Sequence, residues 1–365
     1  MKAAPIMRAM REWNDLRRGI VFDQSLVHTG QHYDSAMSAV FFDELGLPAP
    51  DRYLGAAHGS HAIMTGDVMT RFEPVLSTLD AELVVVVGDV DSTLAAALTA
   101  AKLRIPLAHV EAGLRSRDWS MPEEINRIIT DRLSTLLYVT CEDALENLAA
   151  EGLDEGVRFV GNPMIDTLET FRRAAAGRDI RRRLSLDEQG YVLVTLHRPT
   201  NVDDPPRLAA FCRALGRLAD DVPVVFPVHA RTRERLRAVD DGIFLSHPGL
   251  RLTQPLGYLD FLALMEEAGL VVTDSGGVQE ETTVLGVPCL TARRTTERPI
   301  TLTEGTNQLV DPERPQAIVE TAQAMFASGR ERRPRRPRGW DGHAAERIVT
   351  SVAEWAADRP SGPAV

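Results

Sequence analysis

Residues 83–93 read Leu83-Val84-Val85-Val86-Val87-Gly88-Asp89-Val90-Asp91-Ser92-Thr93, and they decide the fold. Five consecutive aliphatic residues, four of them β-branched, favour extended backbone. A continuous apolar run, unlike an alternating one, predicts a parallel strand covered on both faces. Gly88-Asp89 marks a turn, and a helix is expected over 92–101. Strand, tight turn and helix in that order are the repeating unit of an α/β protein.

The unit recurs on both sides of this stretch. Strands are predicted at 20–27, 83–87, 107–110, 136–140, 157–160, 191–197, 222–228, 270–273 and 287–290. Helices are predicted at 123–135, 206–218, 258–267 and 279–285, besides 92–101. Between 170 and 189 the composition turns to Arg and Ala without a long apolar run, which suggests an interdomain boundary. The expected organisation is an N-terminal Rossmann-like domain over 1–168 and a second over 169–342. A last helix follows over 343–358, and a tail over 359–365.

At 365 residues the chain has room for two domains of ordinary size. Hydrophobic residues make up 44% and charged residues 25%, a globular composition with ample apolar surface to bury. Lys and Arg number 41 against 52 Asp and Glu, a formal charge of −11. No net basic field exists to hold a nucleic-acid backbone. Anionic small molecules need only local cations and stay open. Cys141, Cys212 and Cys289 are too dispersed for a disulfide framework or a CxxC metal site, and are expected to be small buried apolar residues. No apolar run reaches the roughly 20 residues of a membrane span. The N-terminal segment lacks the apolar core of a signal peptide, so a cytoplasmic location is expected. No G-x-G-x-x-G follows a strand, and neither a Walker A motif nor H-E-x-x-H is present. No cofactor and no metal are expected.

In open parallel sheets, function gathers at the carboxyl ends of strands. Four strand ends carry chemistry here: Gly88-Asp89, Glu111-Ala112-Gly113, His229, and Asp274-Ser275-Gly276-Gly277. Asp89 has two readings, a helix cap or an acid in a cleft. Glu111 has no helix to cap, and a carboxylate at a strand end often faces a cleft. A single histidine such as His229 is commonly a hydrogen-bonded surface residue. Ser275, Gly276 and Gly277 suit either a tight turn or an anion held at a helix N-terminus. Glu123, Arg127 and Asp131 stand four apart on one helix face, as an exposed salt-bridge ladder or as part of a site.

The ordered set GDVDSTLAAAL (88–98), HVEAGLRS (109–116), MPEEINR (121–127), VGNPMID (160–166), FPVH (226–229), DSGGVQEE (274–281) and TTERP (295–299) resembles the non-hydrolysing UDP-N-acetylglucosamine 2-epimerases. The similarity runs from Lys2 to the last helix. It implies a glycosyltransferase-B-like architecture, two Rossmann-like domains with a cleft between them, and a last helix crossing back onto the first domain. The implied reaction is reversible interconversion of UDP-GlcNAc and UDP-ManNAc. The implied partners are a UDP-sugar and a second copy in a homodimer. By resemblance Asp89, Glu111 and Glu123 correspond to essential carboxylates, and His229 to a histidine near the diphosphate. Ser275, Gly276 and Gly277 match the phosphate-binding helix start, Glu281 the acceptor for the ribose hydroxyls, and Phe261 a residue beside the uracil. Lys2, Gln31 and Arg127 match polar groups on the substrate side.

Three competing readings share much of this pattern. They are a 2-epimerase of a modified sugar such as a diacetamido uronate, a retaining glycosyltransferase of the same fold, and a non-catalytic nucleotide-sugar binder. The clustered carboxylates disfavour transfer, which needs no base at C2. The family's first strand and its G-T-R-P-E turn have no counterpart ahead of Lys2. The expectation is a truncated chain of reduced stability or activity.

Overall fold

The computed structural model describes residues 1–16, 19–30, 35–56, 59–186, 190–240, 242–327 and 334–359, the side chains of 35–39 excepted. The chain divides into two compact units, Met1–Thr167 with Arg338–Val365, and Leu168–Pro337.

In the first unit β1 (Val27–His28) pairs in parallel with β2 (Arg52–Tyr53). A separate parallel sheet holds β3 (Val84–Val87), β4 (Leu107–Ala112), β5 (Leu136–Val139) and β6 (Val157–Phe159) in that order. Helices Asp91–Lys102 and Pro122–Leu133 follow β3 and β4. The second of these starts as its sequence dictates, with Pro122 in the first turn, Glu123 and Glu124 beside the positive end of the dipole, and Arg132 in the last turn.

The strand expected over 20–27 shrinks to the two residues of β1. Asp23, Gln24 and Ser25 interrupt its apolar run, and side chains occupy its donors. Phe22 N donates to Asn14 Oδ1 (2.9 Å) and Leu26 N to Asp51 Oδ2 (2.7 Å). The edge of β3 away from β4 faces an apolar groove of about 620 Å³, lined by Val84–Val87, Ser25–Val27, Phe72 and Trp355. Among the described residues no strand lies along that edge.

The second unit is one six-stranded parallel sheet. Its strands are β7 (Val192–Thr195), β8 (Val224–Pro227), β9 (Leu250–Thr253), β10 (Leu270–Thr273), β11 (Cys289–Ala292) and β12 (Asn307–Val310), in the order β12-β11-β10-β7-β8-β9. That is the Rossmann order, with its topological switch between β7 and β10. The strand expected at 287–290 starts two residues later, because Pro288 has no N–H for the ladder. Sequence reading missed β9 and β12, the two edge strands, whose half-exposed residues carry no apolar run. Cys141, Cys212 and Cys289 are buried, as expected.

The chain re-enters the first unit at Arg338, ahead of the position 343 expected from sequence. Trp340 is buried, and its Nε1 donates to the Thr140 carbonyl (2.9 Å). Asp166 then caps the last helix, Ala344–Ala357, accepting from Ala344 N (3.1 Å) and Ala345 N (2.7 Å). That helix packs Ile348, Val349 and Val352 against Ile6, Ala9 and Met10 of the first helix, Ala3–Asp15. The return requires Gly161, at φ +85°, to lie directly against the Gly339 carbonyl. A Cβ at Gly161 would fall inside that oxygen. Gly152, at φ +70°, has open space instead. Gly161→Ala is therefore expected to cost roughly 3 kcal/mol or more, and Gly152→Ala only about 1–2 kcal/mol. Urea unfolding of the intact chain measures both.

Candidate active site

Asp89 follows the Gly88 turn after β3, but it does not cap the next helix, whose N-cap is Val90. Its carboxylate instead receives Nη1 of Arg127, while Asn126 Nδ2 donates to its carbonyl (2.9 Å). Arg127 is only 1% exposed and donates through Nη2 to Glu124 Oε2 (2.6 Å). Expected on the substrate side, Arg127 is here the residue that holds Asp89. Glu124 also accepts from Ser116 N (2.9 Å) and Arg117 N (2.8 Å). Burial works against its charge, but these donors and Arg127 prevail and hold its carboxyl below the usual range. The exposed ladder weighed for this helix face does not form, since Arg127 and Asp131 are buried and turn to other partners. Glu123 is half-buried in the first turn of the same helix.

Glu111 lies on β4, where the pairing with β5 slips between Val110 and Ala112. It is the bulged residue and adopts φ +76°, a conformation that opposes its own Cβ. Such strain in a non-glycine residue gathers at functional sites. Its side chain is 2% exposed and ion-paired with Lys2 Nζ. Gly88 stands beside it, since a Cβ there would come 3.4 Å from Glu111 Oε2. Asp89 and Glu111 thus emerge from adjacent strand ends, with Glu123 on the helix that holds Asp89. Gln31, the remaining expected contact of this unit, lies outside the described residues.

Behind Glu111 is a charged pair sealed from water. His109 Nδ1 lies 2.6 Å from Asp131 Oδ1, and His109 Nε2 lies 2.9 Å from the Gly88 carbonyl. Asp131 Oδ2 accepts from Gly113 N (3.0 Å) and Arg115 Nη1 (2.7 Å). Burial alone would neutralise the imidazole, but the Asp131 charge and hydrogen bond outweigh it and raise the His109 pKa. Asp131 is burdened by the same burial and is still held below the usual carboxylate range by His109 and Arg115.

In the second unit the site gathers at the switch point. Asp274, fully buried at the end of β10, reaches across to the end of β7. It accepts from His197 N (3.1 Å), Arg198 N (2.9 Å) and Asn201 Nδ2 (3.0 Å), with His197 Nδ1 at 2.8 Å. Desolvation opposes its charge, yet His197 and these donors keep its pKa low. Ser275 is the N-cap of the helix Gly276–Leu285, whose first N–H groups have no side-chain cap. Arg198 Nε donates to the Asp274 carbonyl (3.1 Å), which sets a cation beside that helix start. A side chain at Gly276 would have to displace the Arg298 guanidinium and the Glu297 carboxylate, which lie where its Cβ would stand. Arg298 is held in turn by Glu280 (2.8 Å) and Glu297. Glu281, 2% exposed, accepts from the Tyr258 hydroxyl (2.8 Å). Phe261 is half-buried on the helix Tyr258–Glu267, and His229 is exposed at the N-cap of Ala230–Val239.

The family described as UDP-N-acetylglucosamine 2-epimerase matches residues 14–353. The chain belongs to that family. The UDP-N-acetylglucosamine 2-epimerase of Methanocaldococcus jannaschii is 39% identical over 356 residues, covering 96% of this chain and 94% of the relative. The UDP-2,3-diacetamido-2,3-dideoxy-D-glucuronate 2-epimerase of Pseudomonas aeruginosa is 41% identical over 331 residues, 89% of either chain. A crystal structure of the M. jannaschii UDP-GlcNAc 2-epimerase in complex with UDP-GlcNAc and UDP resembles this chain with a TM-score of 0.87 at 37% identity. It covers 97% of this chain and 96% of that one. The glycosyltransferase-B-like class expected from sequence is that of these epimerases. Among the described residues no helix is long and apolar enough to cross a membrane.

Sequence reading missed several residues of this epimerase that hold others in place: His109, Arg115, Glu124, His197, Arg198 and Arg298. His109, Arg115, Glu124 and Arg298 fall inside the quoted motifs, which was the available signal. Raising the folded pKa of His109 fixes a sign. The stabilisation it brings is complete below its ordinary value of 6.5 and is lost as pH rises through the raised value. Stability of the epimerase is expected to fall as pH rises from 6.5 towards the raised value, with a slope approaching about 1.4 kcal/mol per pH unit, and to level off beyond it. His109→Gln is expected to flatten the slope. Urea unfolding between about pH 6 and 9 tests this.

Proposed function

We propose that the chain interconverts UDP-GlcNAc and UDP-ManNAc, with Asp89, Glu111 and Glu123 as its acid/base groups. C2 of the sugar is not next to a carbonyl, so direct removal of its proton would leave an unstabilised carbanion. If the C1–O bond to UDP breaks first, with its electron pair leaving on UDP, C1 gains oxocarbenium character, as in glycoside hydrolysis. The C2 proton then passes to a carboxylate, and C1 and C2 form the double bond of a 2-acetamidoglucal. Proton delivery to the other face of C2 and return of UDP to C1 complete the inversion. Two acid/base groups on opposite faces are the minimum.

The observation that carries this reading is Glu111, a buried carboxylate on a strained bulge beside the turn of Asp89. Lys2 is ion-paired with Glu111 and Arg127 with Asp89, so both carboxylates are held in a fixed orientation. We assign the nucleotide to the second unit. The helix start at Gly276 and Gly277, which no side chain caps, and the nearby Arg198 and Arg298 suit a diphosphate, with Ser275 at its N-cap. His229 would donate to it, Glu281, oriented by Tyr258, would accept from the ribose, and Phe261 would lie beside the uracil. Gln31 and Lys2 belong to the sugar side of this reading. A homodimer and a cytoplasmic location complete it, and light scattering and fractionation test those.

Incubation with UDP-GlcNAc in D₂O without any acceptor is expected to place deuterium at C2. Absence of exchange, with transfer once an acceptor is added, would replace the epimerase with a glycosyltransferase. A panel that includes a diacetamido uronate distinguishes the activity named for the P. aeruginosa relative. Asp89→Asn, Glu111→Gln and Glu123→Gln are each expected to lower turnover at least ~100-fold with the fold intact. Near-normal exchange would remove that residue from its role.

UDP is expected to bind equally well in EDTA, because the helix start and arginines can neutralise the phosphates. Gly276→Ala is expected to weaken UDP at least ~10-fold by displacing the Arg298 guanidinium. Calorimetry measures both, and loss of binding on chelation would contradict the first.

A further inference from the structure

Glu111 holds a backbone conformation that its own Cβ opposes, so something outside residue 111 must impose it. The candidates are the groups bonded to the flanks of the bulge. Two residues before it, His109 Nδ1 meets Asp131 Oδ1 at 2.6 Å. Two residues after it, Gly113 N donates to Asp131 Oδ2 at 3.0 Å. One carboxylate therefore spans the bulge from beneath. Gly113 is also pressed against the Ala144 carbonyl, where no Cβ fits, so the far flank has little room to retreat. The other nitrogen of His109 holds Gly88 O, next to Asp89. Arg115 Nη1 closes the last side of the carboxylate at 2.7 Å.

We propose that Asp131 is the positioning residue for Glu111, a carboxylate clamp across the bulge that also fixes the Asp89 turn through His109. Asp131 is fully buried, so it acts through what it holds. It sits on the helix that bears Glu123 and the Arg127 bound to Asp89. One rigid element thereby references all three carboxylates. The role rests on the proposed epimerisation, but the clamp itself does not.

Asp131→Asn tests both. The isostere keeps its volume but removes the charge that keeps the buried His109 protonated, so the charge-assisted hydrogen bonds to both flanks become weaker neutral ones. The clamp is loosened on both sides. Hydrogen exchange on the substrate-free protein should show lost protection at residues 109–113, with β6 and the second unit unchanged. Unaltered protection there overturns the clamp. Turnover, read as deuterium entering C2, should fall about 10- to 100-fold, as for a misplaced catalytic group. UDP affinity should stay within about 3-fold, since its proposed anchor is in the other unit. Because most of the effect passes through Glu111, Asp131→Asn/Glu111→Gln should lose less than the product of the two single losses. A folded Asp131→Asn with normal turnover, or multiplicative losses in the double variant, overturns the positioning role. If Asp131→Asn fails to fold, His109→Gln releases the near flank with the carboxylate intact, and the same cycle applies. Local loss of protection without any wild-type C2 exchange would leave the clamp standing and remove the assigned reaction.

Discussion

A carboxylate closed off from water must be surrounded by donors, and both units of this protein are organised around one. In the first it is Asp131, and in the second Asp274, each without solvent exposure and each paired with a histidine. Each also accepts backbone N–H groups from the end of a neighbouring strand. Buried ion pairs add little to stability against an apolar alternative of the same volume, but removing one partner is severe. Their value is geometric, since only one arrangement of the strand ends satisfies every lone pair.

The strand ends so fixed carry the chemistry. Asp274 draws the β7 loop to the start of the Gly276–Leu285 helix, where Arg198 comes beside uncapped N–H groups. Asp131 secures the segment between His109 and Gly113, from which Glu111 projects. Around both, charge is balanced by specific partners rather than by solvent: Lys2 on Glu111, Arg127 on Asp89 and Glu124, Arg298 on Glu280 and Glu297. Such pairing lets a chain of formal charge −11 assemble carboxylates and arginines in protected places. The substrate class we propose, an anionic nucleotide sugar, depends on that local balance and not on the overall field.

How much of this the sequence disclosed depended on range. Apolar runs such as Val84–Val87 and Leu270–Thr273 were legible, because a strand covered on both faces needs no partner information to be read. The edge strands β9 and β12 were not, since one side of each meets water and their residues are mixed. The segment 20–27 looked like a strand because its interruption by Asp23, Gln24 and Ser25 acts only through bonds to side chains elsewhere. At the site, Glu111 and Asp274 stood out by their place after apolar strands. The substrate side was assigned to Arg127 by resemblance alone, and its bond to Asp89, 38 residues away, lies beyond any helix-face rule. The positive φ of Glu111 was invisible, for a bulge is a property of two strands in register and not of one.

The first unit is made from both ends of the chain, and the second from the uninterrupted stretch Leu168–Pro337. Synthesis therefore reverses their order of completion. The sequence of the second unit is complete at Pro337, while Ile6, Ala9 and Met10 must wait for Ile348, Val349 and Val352. Through most of translation the first helix carries an uncovered apolar face. Chaperone demand should thus fall on the opening residues, and a premature stop between Pro337 and Ile348 should leave the second unit's sequence whole and the first without the helix face that covers it.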